Sequence, residues 1–453
     1  MNIIVAGCGK IGTTLVAALE SEGHNLTVID TSPSVINEMT NIYDVMGVCG
    51  SATDCETLSE AGVEKARLFI SVTDSDELNM LSCYIARKMG AHHTIARIRN
   101  PEYNDRSLGF LRDELDLSMA VNPELLLAQE LYNLLKLPSA FKVDYFAERT
   151  LEMIEIRLKE DSPLCNQKLF RLREKQKVPF LIGAVLRGGE MIIPDGNFEL
   201  KAGDTVSVTA ASGDMQKLLK TLGVLRKESR NIMLLGGGKT SYYLAKHLLA
   251  SGNDVKIIEK NEERCLQLSE ALPNAVLIHG DGTHQELLLE EGLRSLDAFV
   301  ALTGMDEENI LTGLFAAGQN VPQVISKVNR EELSSMAAKL GLDCTLSPKD
   351  ITSYIVLRYA RALENSQGSS VETLYKIMDG KAEALEFSVK ADSAVADTPL
   401  KDLKIKQGIL IAGIIRHGKK AVIPTGNDSI EVGDRVIVLA ADRRLNELDH
   451  ILR

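Results

Sequence analysis

Asn2–Asp30, NIIVAGCGKIGTTLVAALESEGHNLTVID, is the stretch whose reading decides the fold. Ile3-Ile4-Val5-Ala6 is an apolar run suited to a strand buried on both faces. Gly7, Gly9 and Gly12 follow at Gly-x-Gly-x-x-Gly spacing, and Leu15 and Leu19 begin a helical pattern behind them. A second apolar run, Leu26-Thr27-Val28-Ile29, ends on Asp30, eighteen residues past Gly12. Glycine triplets alone are common. Strand, glycines, helix, strand and closing acid in about 30 residues are the context of a dinucleotide-binding unit. Gly7 permits the tight turn, Gly9 lets the backbone approach a pyrophosphate, and Gly12 lets helix and strand pack closely. The helix N-terminus offers N–H groups and partial positive charge to phosphate. Asp30 can accept hydrogen bonds from both ribose hydroxyls and would repel a 2′-phosphate.

The alternation continues outward. Ser32-Pro33 opens a helix over 35–41, and Val45–Val48 is a strand ending in the polar loop Gly50-Ser51-Ala52-Thr53-Asp54. The helix after it closes at Gly62. Leu68–Val72 runs into Thr73-Asp74-Ser75-Asp76-Glu77, Asn79 begins a helix closed by Gly90, and Thr94–Arg99 is a fifth strand. This order predicts a doubly wound parallel sheet, with a ligand across the carboxyl ends of strands one, two and four. Residues 123–137 form an amphipathic helix with a broad apolar face, expected to pack outside its own sheet. Residues 142–157 and 180–210 then favour short strands, with turns at 187–189, 194–196 and 202–204, and Thr205–Thr209 alternates at period two. This is a small α+β module.

The whole plan then repeats. Gly7 matches Gly236 and Asp30 matches Glu259, both at an offset of 229. Gly62 matches Gly292, Asn79 matches Asn309, Pro194 matches Pro424 and Gly203 matches Gly433, all at 230. Turns recur too, Arg187-Gly-Gly-Glu against Arg416-His-Gly-Lys and Pro194-Asp-Gly-Asn against Pro424-Thr-Gly-Asn. The expected fold is therefore α/β: two Rossmann-like doubly wound parallel sheets, each followed by a small α+β domain. The boundaries read as 1–122, a connecting helix 123–140, 141–225, then 229–347, a connecting helix 348–368 and 371–453, with a polar linker at 226–230.

Composition narrows the function. A length of 453 residues suits several domains, and 45% hydrophobic with 25% charged residues is ordinary for a globular chain. No run reaches the ~18 apolar residues of a membrane span. Met1 runs straight into the first strand, so no signal or transit peptide is expected. A net charge of −12 argues against a nucleic-acid footprint or a polybasic membrane anchor. The seven cysteines (8, 49, 55, 83, 165, 265, 344) contain no Cys-x-x-Cys pair, and read as reduced core thiols without a metal site.

Over nearly its full length the chain resembles the TrkA family, cytosolic regulatory subunits of Trk-type potassium uptake with tandem RCK/KTN and TrkA-C domains. The motifs carrying the resemblance are Ile4–Gly12, Val28-Ile29-Asp30, Gly50–Asp54, Val72–Asn79 and Ile95–Tyr103. It implies a nucleotide-sensing subunit without catalytic residues or metal. Such a subunit binds NAD(H) or ATP/ADP as a homo-oligomeric ring beneath an integral-membrane, TrkH/TrkG-like potassium-translocating partner, peripheral on the inner face of the plasma membrane. Carried onto this sequence, Gly7, Cys8, Gly9, Lys10, Ile11 and Gly12 hold phosphates, Asp30 the ribose, and Ser51, Ala52 and Thr53 border adenine. Thr73 and Asp74 line the crevice, and Arg97 reaches a phosphate. In the second copy the matching residues are Gly236, Gly237, Gly238, Lys239, Thr240, Glu259, Asp281 and Thr303, with Ser241 at the third glycine site and His284 where the first copy has Asp54. Both lobes are expected to bind nucleotide with different preferences, Lys10 and Lys239 sensing a γ-phosphate. The alternatives are an NAD-linked oxidoreductase and a nucleotide sensor for another transporter.

Overall fold

A computed structural model describes residues 1–101, 103, 105–225, 229–342, 344–365, 371–378, 380–416, 420–441, 445 and 447–453. Linker residues 226–228, turn residues 417–419, Glu102 and the expected helix end at 366–368 lie outside the described residues.

The first lobe is built from β1 (Asn2–Ala6), α1 (Lys10–Ser21), β2 (Asn25–Asp30), α2 (Pro33–Ile42), β3 (Val45–Cys49) and α3 (Cys55–Glu60). It continues with β4 (Leu68–Ser71), α4 (Asp76–Met89), β5 (His93–Arg97), α5 (Asp105–Glu114) and β6 (Met119–Val121). All strands are parallel in the order β3-β2-β1-β4-β5-β6. The order reverses between β1 and β4, which makes the crevice above their carboxyl ends the place for a ligand. The core strands read as expected for a sheet covered on both faces, with Ile3–Ala6 and Leu68–Ile70 buried. The fifth strand ends at Arg97, two residues before its expected end. β6 and α5 have no counterpart in the sequence reading.

The α6 helix (Pro123–Lys136) leads into β7 (Lys142–Phe146), β8 (Leu151–Arg157), α7 (Leu169–Lys175), β9 (Phe180–Arg187), β10 (Glu190–Ile192), β11 (Thr205–Ala211) and α8 (Met215–Thr221). These strands form an antiparallel sheet in the order β10-β9-β11-β8-β7. The second copy repeats the plan. Its parallel sheet is β14 (Val276–His279), β13 (Asp254–Glu259), β12 (Asn231–Leu235), β15 (Ala298–Ala301), β16 (Gln323–Lys327) and β17 (Thr345–Leu346), in that spatial order. Around it lie α9 (Lys239–Ala250), α10 (Glu262–Ala271), α11 (Gln285–Glu290), α12 (Asp306–Gly318) and α13 (Glu331–Lys339), and α14 (Pro348–Asn365) follows. The last sheet orders β18 (Val371–Ile377), β19 (Ala382–Ser388), β22 (Arg435–Ala441), β20 (Ile409–Arg416) and β21 (Lys420–Val422).

The sequence repeats copy by copy, but the chain compacts across copies. One unit holds Met1–Tyr132 with Ser229–Ala360, and the other Asn133–Glu228 with Arg361–Arg453. In the first unit each connecting helix packs on the opposite lobe. At the start of α6, Asn122 Nδ2 donates to Tyr243 Oη at 3.2 Å, and Tyr132 stacks near His247 at 5.7 Å. In α14, Tyr359 Oη meets His93 Nδ1 at 3.2 Å and Ser353 Oγ donates to Thr14 O at 3.5 Å. On the broad apolar face of 123–137, Leu127, Leu131, Leu134 and Leu135 are buried.

In the second unit the two antiparallel sheets clasp reciprocally. Buried Glu155 accepts the Met378 N–H at 3.0 Å, and buried Glu386 accepts the Ala147 N–H at 3.2 Å. Glycine permits close approach at matched places. A Cβ on Gly183 would stand 2.4 Å from Leu439 Cδ1, and one on Gly413 would stand 2.7 Å from Leu151 Cδ1.

Candidate functional site

Each lobe has a cavity at the carboxyl ends of its central strands. The first measures about 750 Å³ and the second about 410 Å³. Both fall in the ordinary range for small-molecule sites.

In the first lobe the turn after β1 is shaped as its glycines demand. Gly7 has φ +92°, a conformation costly for any side chain, and a Cβ on Gly12 would stand 1.9 Å from Gly7 O. A Cβ on Gly9 would meet nothing within 4 Å, because it faces the cavity. Asp30 closes the turn from β2. Its Oδ2 accepts the Cys8 N–H and its Oδ1 the Ser32 N–H, both at 2.9 Å, leaving lone pairs on each oxygen for further donors. Beside it, burial pushes the Cys8 thiol up to about 12, Asp30 adding to the effect, so Cys8 fills space and is no nucleophile.

A buried asparagine organises the opposite wall. Asn79 Oδ1 accepts from Thr73 N at 2.8 Å and Ser71 Oγ at 2.9 Å, while its Nδ2 donates to Thr73 O at 3.2 Å and Arg97 O at 2.9 Å. It staples the ends of β4 and β5 to α4. Asp76 adds a second clamp, its Oδ2 accepting the N–H groups of Arg99 and Asn100 at 2.8 Å each. Arg97 is thereby fixed in the wall. It is 7% exposed, its guanidinium donates to Thr73 O and reaches Asp74 Oδ1 at 3.5 Å, and burial holds it below its ordinary range.

Of the residues singled out in this lobe, Gly7, Cys8, Gly9, Lys10, Ile11, Asp30, Ser51, Ala52, Thr73, Asp74 and Arg97 line the cavity. Gly12 lies buried beneath the turn, and Thr53 pairs with Ser51 at 2.9 Å outside the wall. Asp54 caps α3 by accepting from Thr57 N at 3.0 Å.

The chain is matched by the TrkA-N domain family model over residues 3–114 and 232–348, and by the TrkA-C domain model over 153–223 and 384–453. It is 32% identical, across the full length of both chains, to the Trk system potassium uptake protein TrkA homolog of Archaeoglobus fulgidus. The chain belongs to the TrkA family. The Trk system potassium uptake protein TrkA of Halomonas elongata is 30% identical, with 100% of this chain and 99% of that protein covered. A solved GsuK channel bound to NAD shares the fold, with a TM-score of 0.63 at 18% identity, over 97% of this chain and 77% of that one.

Within this TrkA-family chain the second lobe keeps the plan and changes the parts. Glu259 Oε2 accepts the Gly237 N–H at 2.6 Å and Oε1 the Asn261 N–H at 2.8 Å, reproducing the Asp30 clasp with a longer acid. Ser241, at the third glycine site, is buried and donates its hydroxyl to Gly236 O. Asn309 repeats Asn79, accepting from Thr303 N at 2.8 Å and donating to Lys327 O at 2.9 Å. Lys327 stands where the first lobe has Arg97, and burial lowers its ammonium below the ordinary lysine range. Gly236, Gly237, Gly238, Glu259, Asp281 and Thr303 line this cavity, whereas Lys239 is exposed on the first turn of α9 and Thr240 is buried outside the wall.

Sequence reasoning missed several wall residues. Lys327 could have been found from Arg97 by the offset of 230. Arg99 lies inside the Ile95–Tyr103 motif but was not singled out, whereas Glu124, Asn329 and Lys349 carried no signal, because they enter the first cavity from elements remote from its glycine turn in sequence. Two Tyr-x-x-x-Lys spacings, Tyr132–Lys136 and Tyr242–Lys246, bear on the oxidoreductase alternative, but neither is among the residues lining either cavity. Among the described residues no helix is long and apolar enough to cross a membrane, and no cluster of metal-ligating side chains occurs.

Proposed function

We propose that this chain is the cytosolic nucleotide-sensing regulatory subunit of a Trk-type potassium uptake system. The observation carrying the proposal is the pair of strand-end cavities, each with a glycine turn clasped by an acid. In this reading NAD(H) or ATP/ADP occupies the first cavity, phosphates against Gly7–Lys10 and ribose on Asp30. The second cavity takes a nucleotide with a different preference. Asp30 and Glu259 keep free lone pairs for a ribose diol, and the GsuK channel of the same fold is bound to NAD. The chain acts as a switch and transfers no group. Its domains follow the boundaries of the sequence reading, 1–122, 141–225, 229–347 and 371–453.

A homo-oligomeric ring is supported by matched exposed apolar residues. Leu81 and Phe110 are 51% and 65% exposed, and their counterparts at offset 230, Leu311 and Leu340, are 68% and 58% exposed. Such paired patches are surfaces that association would cover. The ring biases the open state of an integral-membrane, TrkH/TrkG-like potassium pore, and this holds the subunit at the inner face of the plasma membrane.

A thermal-shift panel of NAD, NADH, ATP and ADP tests the site. A bound nucleotide stabilises by RT ln(1 + [L]/Kd), about 2.7 kcal/mol at a hundredfold excess over Kd. Gly9→Val should remove the first-lobe share while leaving the fold intact, since its side chain enters only the cavity. Potassium uptake by vesicles holding the pore should respond to nucleotide only with the subunit present. No stabilisation by any of the four, or consumption of NADH with a small substrate, would overturn the proposal.

A further inference from the structure

The joint between α14 and the first lobe contains a histidine. His93 opens β5 and is partly buried, with its Nδ1 3.2 Å from Tyr359 Oη and the two rings edge to face at 6.1 Å. Ser118 Oγ, just ahead of β6, stands 3.5 Å from the same nitrogen. Earlier on α14, Ser353 Oγ donates to Thr14 O at 3.5 Å, and between these two contacts Val356 and Leu357 are buried. The polar grip of α14 on the first lobe therefore ends at His93.

The groups around this ring disfavour a second proton. Arg67 ahead of β4, Arg87 on α4 and the adjacent His92 all bear on it, and all are cationic when charged. Arg87 is fixed in place, its Nε donating to Asp116 Oδ2 at 2.8 Å and its Nη1 to Ala91 O at 2.9 Å. From α14 the facing group is Tyr359, while the neighbouring Arg358 lies 5.9 Å over the Tyr354 ring. Among the described residues no acid stands within ion-pair distance of His93. Burial first, and then the cations, hold the imidazole below its ordinary 6.5. A neutral ring can accept the Tyr359 proton at Nδ1, whereas an imidazolium has two donors and no acceptor.

The second lobe is built differently at the matched place. Gln323 occupies the position of His93 at an offset of 230, is buried, and accepts from Ser229 Oγ at 3.0 Å. The helix that crosses this lobe, α6, is held instead by Tyr132, whose hydroxyl meets Ser251 Oγ. The amide of Gln323 carries no charge at any working pH.

We infer that the His93–Tyr359 contact is a proton-sensitive latch, closed while His93 is neutral, which loosens α14 from the first lobe on acidification. Protons thereby become an input to lobe packing, separate from any nucleotide, and one that acts on α14 and spares α6. The sign follows from linkage. The released ring takes up a proton more readily than the packed one, so the latch is at full strength above 6.5 and weakens as pH falls below it. At pH 5.5 a free imidazole is protonated by about 10:1, which caps the loss of latch strength at about tenfold.

The test follows hydrogen exchange in the full chain without nucleotide at pH 7.5 and 5.5, corrected for the intrinsic pH dependence of exchange. Protection of 354–362 should fall about three- to tenfold at pH 5.5, and that of 126–132 in α6 by less than about twofold. His93→Gln, which installs the residue of the second lobe, should hold the change at 354–362 below about twofold. Tyr359→Phe should lower protection of 354–362 already at pH 7.5. Equal losses in α6 and α14 would make the acid effect general and overturn the inference, as would an undiminished loss in His93→Gln. The ring proton of His93, followed by NMR in the unaltered chain, should titrate below 6.5. Titration at or above 6.5 would overturn the latch whatever the variants do.

Discussion

The two glycine turns differ in a matched set of three residues, and exchanging them one at a time should be costly. In the first lobe the set is Cys8, Asp30 and Met39; in the second it is Gly237, Glu259 and Leu268, each at an offset of 229. The longer glutamate reaches back over its turn and is fixed by the N–H groups of Gly237 and Asn261. A Cβ on Gly237 would stand 2.7 Å from Leu268 Cδ1, 3.0 Å from Glu259 Oε2 and 3.1 Å from Glu259 Cγ. Leu268 is buried and cannot swing away freely. The first lobe accommodates a cysteine because its acid is one methylene shorter and the unbranched Met39 fits an irregular gap. Gly237→Ala should therefore destabilise by the ~1–3 kcal/mol typical of overpacking. Glu259→Asp should recover part of that loss, and adding Leu268→Met should recover most of it. The coupling in such a cycle between touching residues is expected at ~0.5–3 kcal/mol. The assay is denaturant unfolding followed together with local hydrogen exchange in β12 and α9, since a chain of two units need not unfold in one step. If Gly237→Ala is neutral, or if Glu259→Asp leaves its cost unchanged, the steric account of the pairing is refuted.

Asp30→Ala should weaken adenine nucleotides in the first cavity by ~1.5–3 kcal/mol, roughly 10- to 150-fold, through lost hydrogen bonds to a charged acceptor. Isothermal titration with the second cavity blocked by Gly238→Val measures it, and unchanged affinity would remove Asp30 from the ribose site. Glu152 on β8 should make stability depend on pH. Burial raises its carboxyl from 4.5 to about 7 against the opposing pull of Arg149. The native state then holds a proton that the unfolded chain has lost, so stability is full below 4.5 and falls as pH rises toward about 7. Glu152→Gln should flatten that decline in melting temperature across the same window, and an unchanged slope would assign the pH dependence elsewhere.

Much of the architecture is written locally and could be read without coordinates. The strand–turn–helix–strand pattern of Asn2–Asp30 sets up a parallel sheet because each element's burial follows from its own residues. The repeat at 229–230 fixes a second such sheet. What the pattern could not supply is which surfaces meet. The apolar face of α6 is visible in sequence, but that it packs on the second lobe, with α14 returning the contact, depends on residues about 120 and 266 positions apart. The site divides the same way. Gly9 and Asp30 are legible because their roles are backbone roles, set by φ, by the absence of a Cβ and by reach to the next turn. Arg99, Glu124 and Lys349 are long charged side chains on separate elements, and an isolated charge in sequence is usually a solvated one.

Asn79 and Asn309 show the limit between these cases. Their shared offset of 230 marked a match, yet an asparagine in a helix suggests nothing by itself. Each proves to be a buried staple for two strand ends, and only the three-dimensional meeting of β4 with β5, or β15 with β16, brings the partners of its side chain together. The same geometry explains why the copies were free to diverge around a constant frame. Two identical subunits pairing through exchanged helices would be bound to two equal cavities. Joined in one chain, the copies can place both lobes around one cavity of about 750 Å³ and leave the other, of about 410 Å³, to a single lobe. The staples and the acid–turn clasp hold each frame, so replacement of Arg97 by Lys327, Gly12 by Ser241 and Cys8 by Gly237 alters what each cavity presents without unmaking the sheet beneath it.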